Sequence, residues 1–265
     1  MLTDLQGQIE RITYCNDETG YTVAKVASSY QLNPLSQFDN MNFIMRIITI
    51  LFLCLLYSST AFAVQVNACH CFQNRSFDAA NPEKVDPYLL ATTQNSFLAT
   101  VFGIHKGEIV KAKMGGTSGD DLWIAYFVAA KTDTDVKSLM SARSTSGSWK
   151  AVLLKNKVNV QILGTRFSAA FTKDSSDENL SASVVDQMIS DRFSTKEAEV
   201  NKLRIKGATN KEIILSIFLS LRSQRTSFEY YDTVKAGKGT WGSNLNSLGI
   251  VAENMESEIK KMVTK

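Results

Sequence analysis

Histidine and proline are scarce in this chain of 265 residues, with two of the first and three of the second. Two histidines leave no material for a His-rich metal cluster and little for a histidine-based active site. Three prolines beside 14 glycines exclude collagen-like or proline-rich sequence. Pro34, Pro82 and Pro87 all precede a proline-free run of 178 residues. Such a run, rich in Lys, Glu, Ala, Leu and Ser, favours helix, because proline removes a donor and clashes inside helices. Basic blocks of five or more residues are absent, which argues against a nucleic-acid arm. The G-x-S-x-G elbow, H-E-x-x-H and the glycine-rich phosphate loop are absent too. What is present, 44% hydrophobic residues and a net charge of +3, excludes a disordered chain and suffices for one large domain or two small ones.

The first 63 residues divide into three pieces. Residues 8–14 (QIERITY) alternate polar and apolar, and residues 21–26 (YTVAKV) form a second β-prone run. NDETG between them supplies a glycine able to take positive φ, so residues 1–27 are expected to hold a β-hairpin-like extension. The run GQIERITYCNDETGYTVAKV resembles the extreme N-terminus of RecD-like ATP-dependent DNA helicases, over about a tenth of the chain. That resemblance implies a small β element. It carries no motor, since AGKGTWG at 236–242 lacks the phosphate-loop spacing. Residues 28–40 are polar without a clear period and read as a linker.

Residues 41–63 have the three parts of a secretory signal peptide: Arg46, the apolar core IITILFLCLL at 47–56, and an Ala-x-Ala ending at Ala63. The core is too short for a membrane span of about 20 residues. Because such signals open a chain, a start at Met41 or Met45 is expected, with cleavage after Ala63. Residues 1–63 hold three basic and five acidic side chains, so the mature 202 residues carry 26 basic and 21 acidic, a net +5. A mildly cationic exported chain suits solubility and acidic surfaces such as lipid headgroups or cell-wall polymers.

Residues 64–85 form an irregular segment carrying Cys69, His70 and Cys71. Three readings stay open for ACHCFQNR. The cysteines form a structural disulfide, with each other or another chain. The triplet ligates a metal, with His105 as a further ligand. Or the pair is redox-active, at a less well-founded spacing than C-x-x-C. No resident cofactor is expected.

The remaining sequence repeats itself. Residues 102–128 align with 193–219 at an offset of 91, matching Phe102 to Phe193, Glu108 to Glu199, Lys111 to Lys202, Gly116 to Gly207 and Phe127 to Phe218. Lys113 aligns with Arg204 and Asp121 with Glu212. At an offset of 92, Arg143, Gly147, Trp149 and Leu153 match Lys235, Gly239, Trp241 and Leu245. The period exceeds that of short solenoid repeats. We therefore expect an all-α protein with a first helical subdomain at 86–172, a linker at 173–181 and a second subdomain at 182–265. Residues 86–103 read as an amphipathic helix capped by Asp86 with Pro87 in its first turn. Residues 120–132 bury Leu122, Trp123, Tyr126, Phe127 and Ala130 on one face. Thr209 and Glu212 form a capping box.

The helix–glycine–helix KLRIKGATNKEIILSIFLS superficially resembles a DNA-binding helix pair, but its second helix is mainly apolar. Trp149, Trp241, Tyr230 and Tyr231 read as core aromatics rather than ligand platforms. Asp120 and Asp121 fit the first turn of a helix through the macrodipole rather than a catalytic pair. From ACHCFQNRSFD through the G-x-W turns the chain is similar to uncharacterised exported helical proteins of bacteria, a resemblance that implies no activity. The expectation is an exported binding or structural module facing an unknown protein or cell-envelope partner, without nucleic acid and without a transmembrane helix in the mature chain. The alternative is a cytoplasmic DNA-associated protein.

Overall fold

A computed structural model describes residues 8–15 and 22–27 as backbone, and residues 75–173 and 176–263 in full. The expected signal peptide, the linker at 28–40 and the Cys69–His70–Cys71 triplet lie outside the described residues. The chain divides into two units, Met1–Cys71 and Phe72–Lys265. In the first, β1 (Gln8–Cys15) and β2 (Thr22–Ala27) pair antiparallel, from Gln8 opposite Ala27 to Cys15 opposite Thr22. The register slips between Ile9 and Arg11 and again between Ile12 and Tyr14.

The second unit holds helices and no strand among its described residues, so the all-α expectation holds there. Its helices are α1 (Asp86–Phe102), α2 (Lys106–Met114), α3 (Gly119–Lys131), α4 (Val136–Ser146) and α5 (Trp149–Lys155). A 3-10 turn, Val160–Leu163, leads into α6 (Thr165–Thr172) and α7 (Asp177–Phe193). There follow α8 (Glu197–Ile205), α9 (Asn210–Leu221), α10 (Ser227–Lys235), α11 (Trp241–Ser247) and α12 (Met255–Val263). The starts of α7, α8, α9 and α10 fall 91 residues after those of α1, α2, α3 and α4, and α11 starts 92 after α5.

Local chemistry sets most boundaries. Ser118, Asp135, Ser148 and Thr226 each accept a backbone N–H in the first turn of α3, α4, α5 and α10. Such bonds satisfy donors that a helix start leaves open. Thr209 and Glu212 close the expected capping box on α9. Gly103 and Gly147 end α1 and α4 in the left-handed conformation, where a side chain would be strained. α7 starts inside the segment expected to be linker: Ser176 caps it, and Asp177 and Glu178 occupy its first turn.

Packing crosses between the two ends of the sequence. α1 lies against α9 and α12, and α7 lies against α3 and α6. The buried apolar side chains form one cluster running from Val85 to Ile259. α1 is consequently not amphipathic: Leu89, Phe97 and Leu98 are buried, but so are Thr92, Thr93, Gln94, Asn95 and Ser96. Thr93 satisfies its hydroxyl on the Leu89 carbonyl at 2.7 Å. α3 buries Ile124, Ala125 and Val128 beside Leu122, Trp123 and Phe127, while Tyr126 is half-buried and Ala130 exposed. With α7 along it and α1, α4 and the 3-10 turn also in contact, one buried stripe becomes a helix covered almost all round. Phe97 stacks on Phe193 at 4.8 Å between ring centres, tying α1 to the end of α7.

Candidate functional site

Two helix pairs, α2–α3 and α8–α9, bring their connecting turns together. Asp120, in the first turn of α3, accepts from Ser181 Oγ on α7 at 2.6 Å and from Asn210 Nδ2 at the start of α9 at 3.3 Å. Asn210 also donates to Ser181 at 3.2 Å. Asn210 Oδ1 accepts from Arg204, whose guanidinium forks onto Asp186 of α7 at 2.7 and 3.1 Å. Arg166 of α6 approaches the same carboxylate at 3.4 Å and pairs with Glu197 at 2.7 Å. On the other side Lys113 donates to Asn95 of α1.

The cluster has uneven electrostatics. Burial is the main force on Lys113, and the positive Lys211 adds to it, bringing the amine down to about 8 against a partial counter-pull from Asp120. Asp120 itself lies above the ordinary carboxylate range because burial disfavours its charge, while the Ser181 hydrogen bond opposes the shift. An amine near 8 is unprotonated in part at mildly alkaline pH, so Lys113 can hold or release a proton there. The other groups direct their hydrogen bonds and ion pairs at one another and so join α3, α6, α7, α8 and α9, while Lys113 links α2 to α1.

A second polar arrangement surrounds the two G-x-W turns. Asp121 accepts from Trp149 Nε1 at 2.7 Å and Arg143 Nε at 2.9 Å, and Ser118 completes its shell at 2.7 Å. Glu212, which aligns with Asp121, takes Lys235 at 2.6 Å and the backbone N–H of Thr209 at 2.9 Å. Burial pushes the Glu212 carboxyl upward, but the Lys235 and Thr209 hydrogen bonds outweigh it and hold it below the ordinary range. Asp177 accepts the Trp149 N–H at 2.9 Å and pairs with Arg143 at 2.8 Å. Asp86 accepts the N–H groups of Trp241 at 3.0 Å and Gly242 at 2.7 Å.

Asp86 therefore does not cap its own helix. The residue before α1 is Val85, which makes no side-chain cap bond, and Pro87 has no N–H to satisfy. As the first helical residue, Asp86 instead closes the start of α11, far along the chain. Burial raises its carboxyl, with the Gly242 and Trp241 bonds pulling the other way.

The aromatic expectations hold. Trp149 is 0% and Trp241 2% exposed. Tyr230 and Tyr231 are buried, with hydroxyls donated to Ser223 Oγ at 2.9 Å and the Lys206 carbonyl at 3.1 Å. His105, considered as a metal ligand, accepts from the Gly107 N–H at 3.1 Å as the cap of α2. Among the described residues no three His, Cys, Asp or Glu side chains converge as metal ligands. No described helix is long and apolar enough to cross a membrane.

Sequence reasoning missed the Lys113–Asp120–Ser181–Asn210 cluster. The one signal was that Lys113 and Arg204, 91 residues apart, are both basic. Its carboxylate and amide partners lie on helices distant in sequence. No protein-family model, curated protein or solved structure matches the chain.

Proposed function

We propose that the chain is an exported, periplasmic helical protein acting as a binding or structural module, built from two related helical halves that interleave. The two-halves part is supported by the 91-residue spacing of helix starts and by the exchange of partners. Asp86 of the first half closes the start of α11 in the second, and Asp177 closes the start of α5 in the first. Export is supported by Arg46, the apolar core at 47–56 and Ala61-x-Ala63.

The observation that carries the non-enzymatic reading is the use of the acidic side chains. Asp86, Asp121, Asp177, Asp186 and Glu212 each bind the start of a helix or a basic side chain from another element, and Asp120 accepts from the Ser181 hydroxyl and the Asn210 amide. Groups fixed in that way serve cohesion. The DNA-associated alternative needs an exposed recognition helix. In α9, Ile213, Ile214, Leu215, Ile217, Phe218 and Leu219 are buried, which favours the binding or structural reading.

Fractionation of cells producing the full chain tests the proposal. Release with the periplasmic contents supports it, whereas retention in the cytosol with bound nucleic acid overturns it in favour of the alternative.

A further inference from the structure

Residues 136–173 contain seven Lys or Arg and no Asp or Glu. Arg143 and Arg166 are held by carboxylates of neighbouring elements. Lys137, Lys155, Lys157 and Lys173 are exposed and have no carboxylate partner among the described residues. In the midst of this segment stand two large aliphatic side chains open to solvent, Leu154 at 61% and Ile162 at 50% exposure.

The segment that presents them is held in place. After α5 the chain turns back on itself, with the Lys157 N–H donating to the Leu154 carbonyl and the Val158 N–H to the Leu153 carbonyl, both at 3.0 Å. Asn156 Nδ2 ties the turn to Val152 at 2.8 Å, and Asn159 caps the 3-10 turn that bears Ile162. Leu153 and Leu163, the neighbours of the exposed pair, are fully buried. The corresponding stretch after α11 reads SLGI, without lysine. Lysine is thus concentrated on one of two similar turns.

We propose that the turn from Leu154 to Ile162, with Lys155, Lys157 and the flanking Lys137 and Lys173, docks on an anionic phospholipid surface. Leu154 and Ile162 enter the boundary between headgroups and acyl chains, and the adjacent lysines keep their stems along the apolar region while their ammonium groups reach lipid phosphates. Charge complementarity selects the occupant: four exposed cations meet a surface of one sign, and aliphatic groups between them are wasted on a soluble polyanion. Docking through residues 136–173 does not depend on whether the chain is exported.

The test is vesicle co-sedimentation of the full chain. Phosphatidylcholine vesicles are compared with vesicles of phosphatidylcholine and phosphatidylglycerol in equal parts, and the readout is the ratio of the two partition coefficients. The apolar core at 47–56 adds to both, and residues 1–63 carry a net negative charge, so headgroup preference reports on the rest of the chain. The expected result is a strong preference for the anionic vesicles that disappears in about 1 M salt, where the screening length is about 3 Å. Replacing both Lys155→Gln and Lys157→Gln lowers the preference by about 25-fold, roughly fivefold for each lysine near such a surface. Leu154→Ser with Ile162→Ser lowers binding to the anionic vesicles by on the order of tenfold. Lys238→Gln, an exposed lysine elsewhere, changes the ratio little. Circular dichroism matching the parent protein establishes that the variants are folded. Equal binding to both vesicles overturns the proposal, as does a preference that ignores Lys155 and Lys157. Binding to polyglutamate that is unaffected by the Leu154 and Ile162 changes, with no vesicle association, overturns it in favour of an acidic polymer.

Discussion

Replacing Asp86 with alanine removes the group that closes α11 from the far end of the sequence. Its carboxylate accepts two backbone N–H groups, from Trp241 at 3.0 Å and Gly242 at 2.7 Å. A hydrogen bond to a charged group contributes about 1.5–3 kcal/mol net, and loss of a helix cap costs about 0.5–2 kcal/mol. Burial disfavours the ionised form of Asp86, which offsets part of that gain. The expected loss for Asp86→Ala is therefore about 2–3 kcal/mol. Asp86→Asn keeps one acceptor without the cost of a half-buried charge, and loses about 1 kcal/mol. Asp177→Ala removes the equivalent cap from α5 and one partner of Arg143, for a loss of about 2 kcal/mol. Equilibrium urea unfolding, followed in parallel by tryptophan fluorescence and far-ultraviolet circular dichroism, measures all three. Because the buried residues form one cluster, each variant shifts a single shared transition. A biphasic curve in which Asp86→Ala moves one phase and Asp177→Ala the other would refute the interleaved arrangement. So would a shift below about 0.5 kcal/mol, the ordinary range for surface substitutions.

Two more predictions follow from local geometry. Lys113 sits at about 8 in the folded protein against 10.5 for an ordinary lysine, so the unfolded chain binds more protons between those values. Stability then rises as pH climbs from about 8 to 10.5, by up to about 3 kcal/mol at 1.36 kcal/mol per unit. Denaturation across that window checks it, with the rise missing from Lys113→Met; parallel curves for the two proteins refute it. A Cβ on Gly242 would meet Val85 Cγ1 at 2.6 Å and Phe77 at 3.0 Å. Gly242→Ala accordingly costs about 1–3 kcal/mol in thermal or urea unfolding, and an unchanged midpoint contradicts the close packing of residues 77–85 on α11.

Signals confined to one helical turn were legible in the sequence. Thr209 and Glu212 act on one another within four residues, so spacing alone places their capping box. The core roles of Trp149 and Trp241 were legible for a similar reason, since a large indole in a tight turn packs on its own helices. What failed depended on partners far along the chain. Asp86 reads as a cap of its own helix until the start of α11 is seen beside it. α1 reads as amphipathic because its Thr, Gln and Asn residues look like a solvent face. In the fold α9, α12 and α2 surround it, and Lys113 supplies a partner for Asn95. Asp120 carried a sufficient local explanation in the macrodipole, which concealed its bonds to Ser181 and Asn210.

The most direct test of the account is the N-terminal residue of the protein recovered from cells, determined by Edman sequencing and intact mass on the periplasmic fraction. An exported module cleaved after the Ala61-x-Ala63 pattern begins at Val64 and retains 202 residues. A cytoplasmic protein that keeps residues 41–63 attached contradicts it.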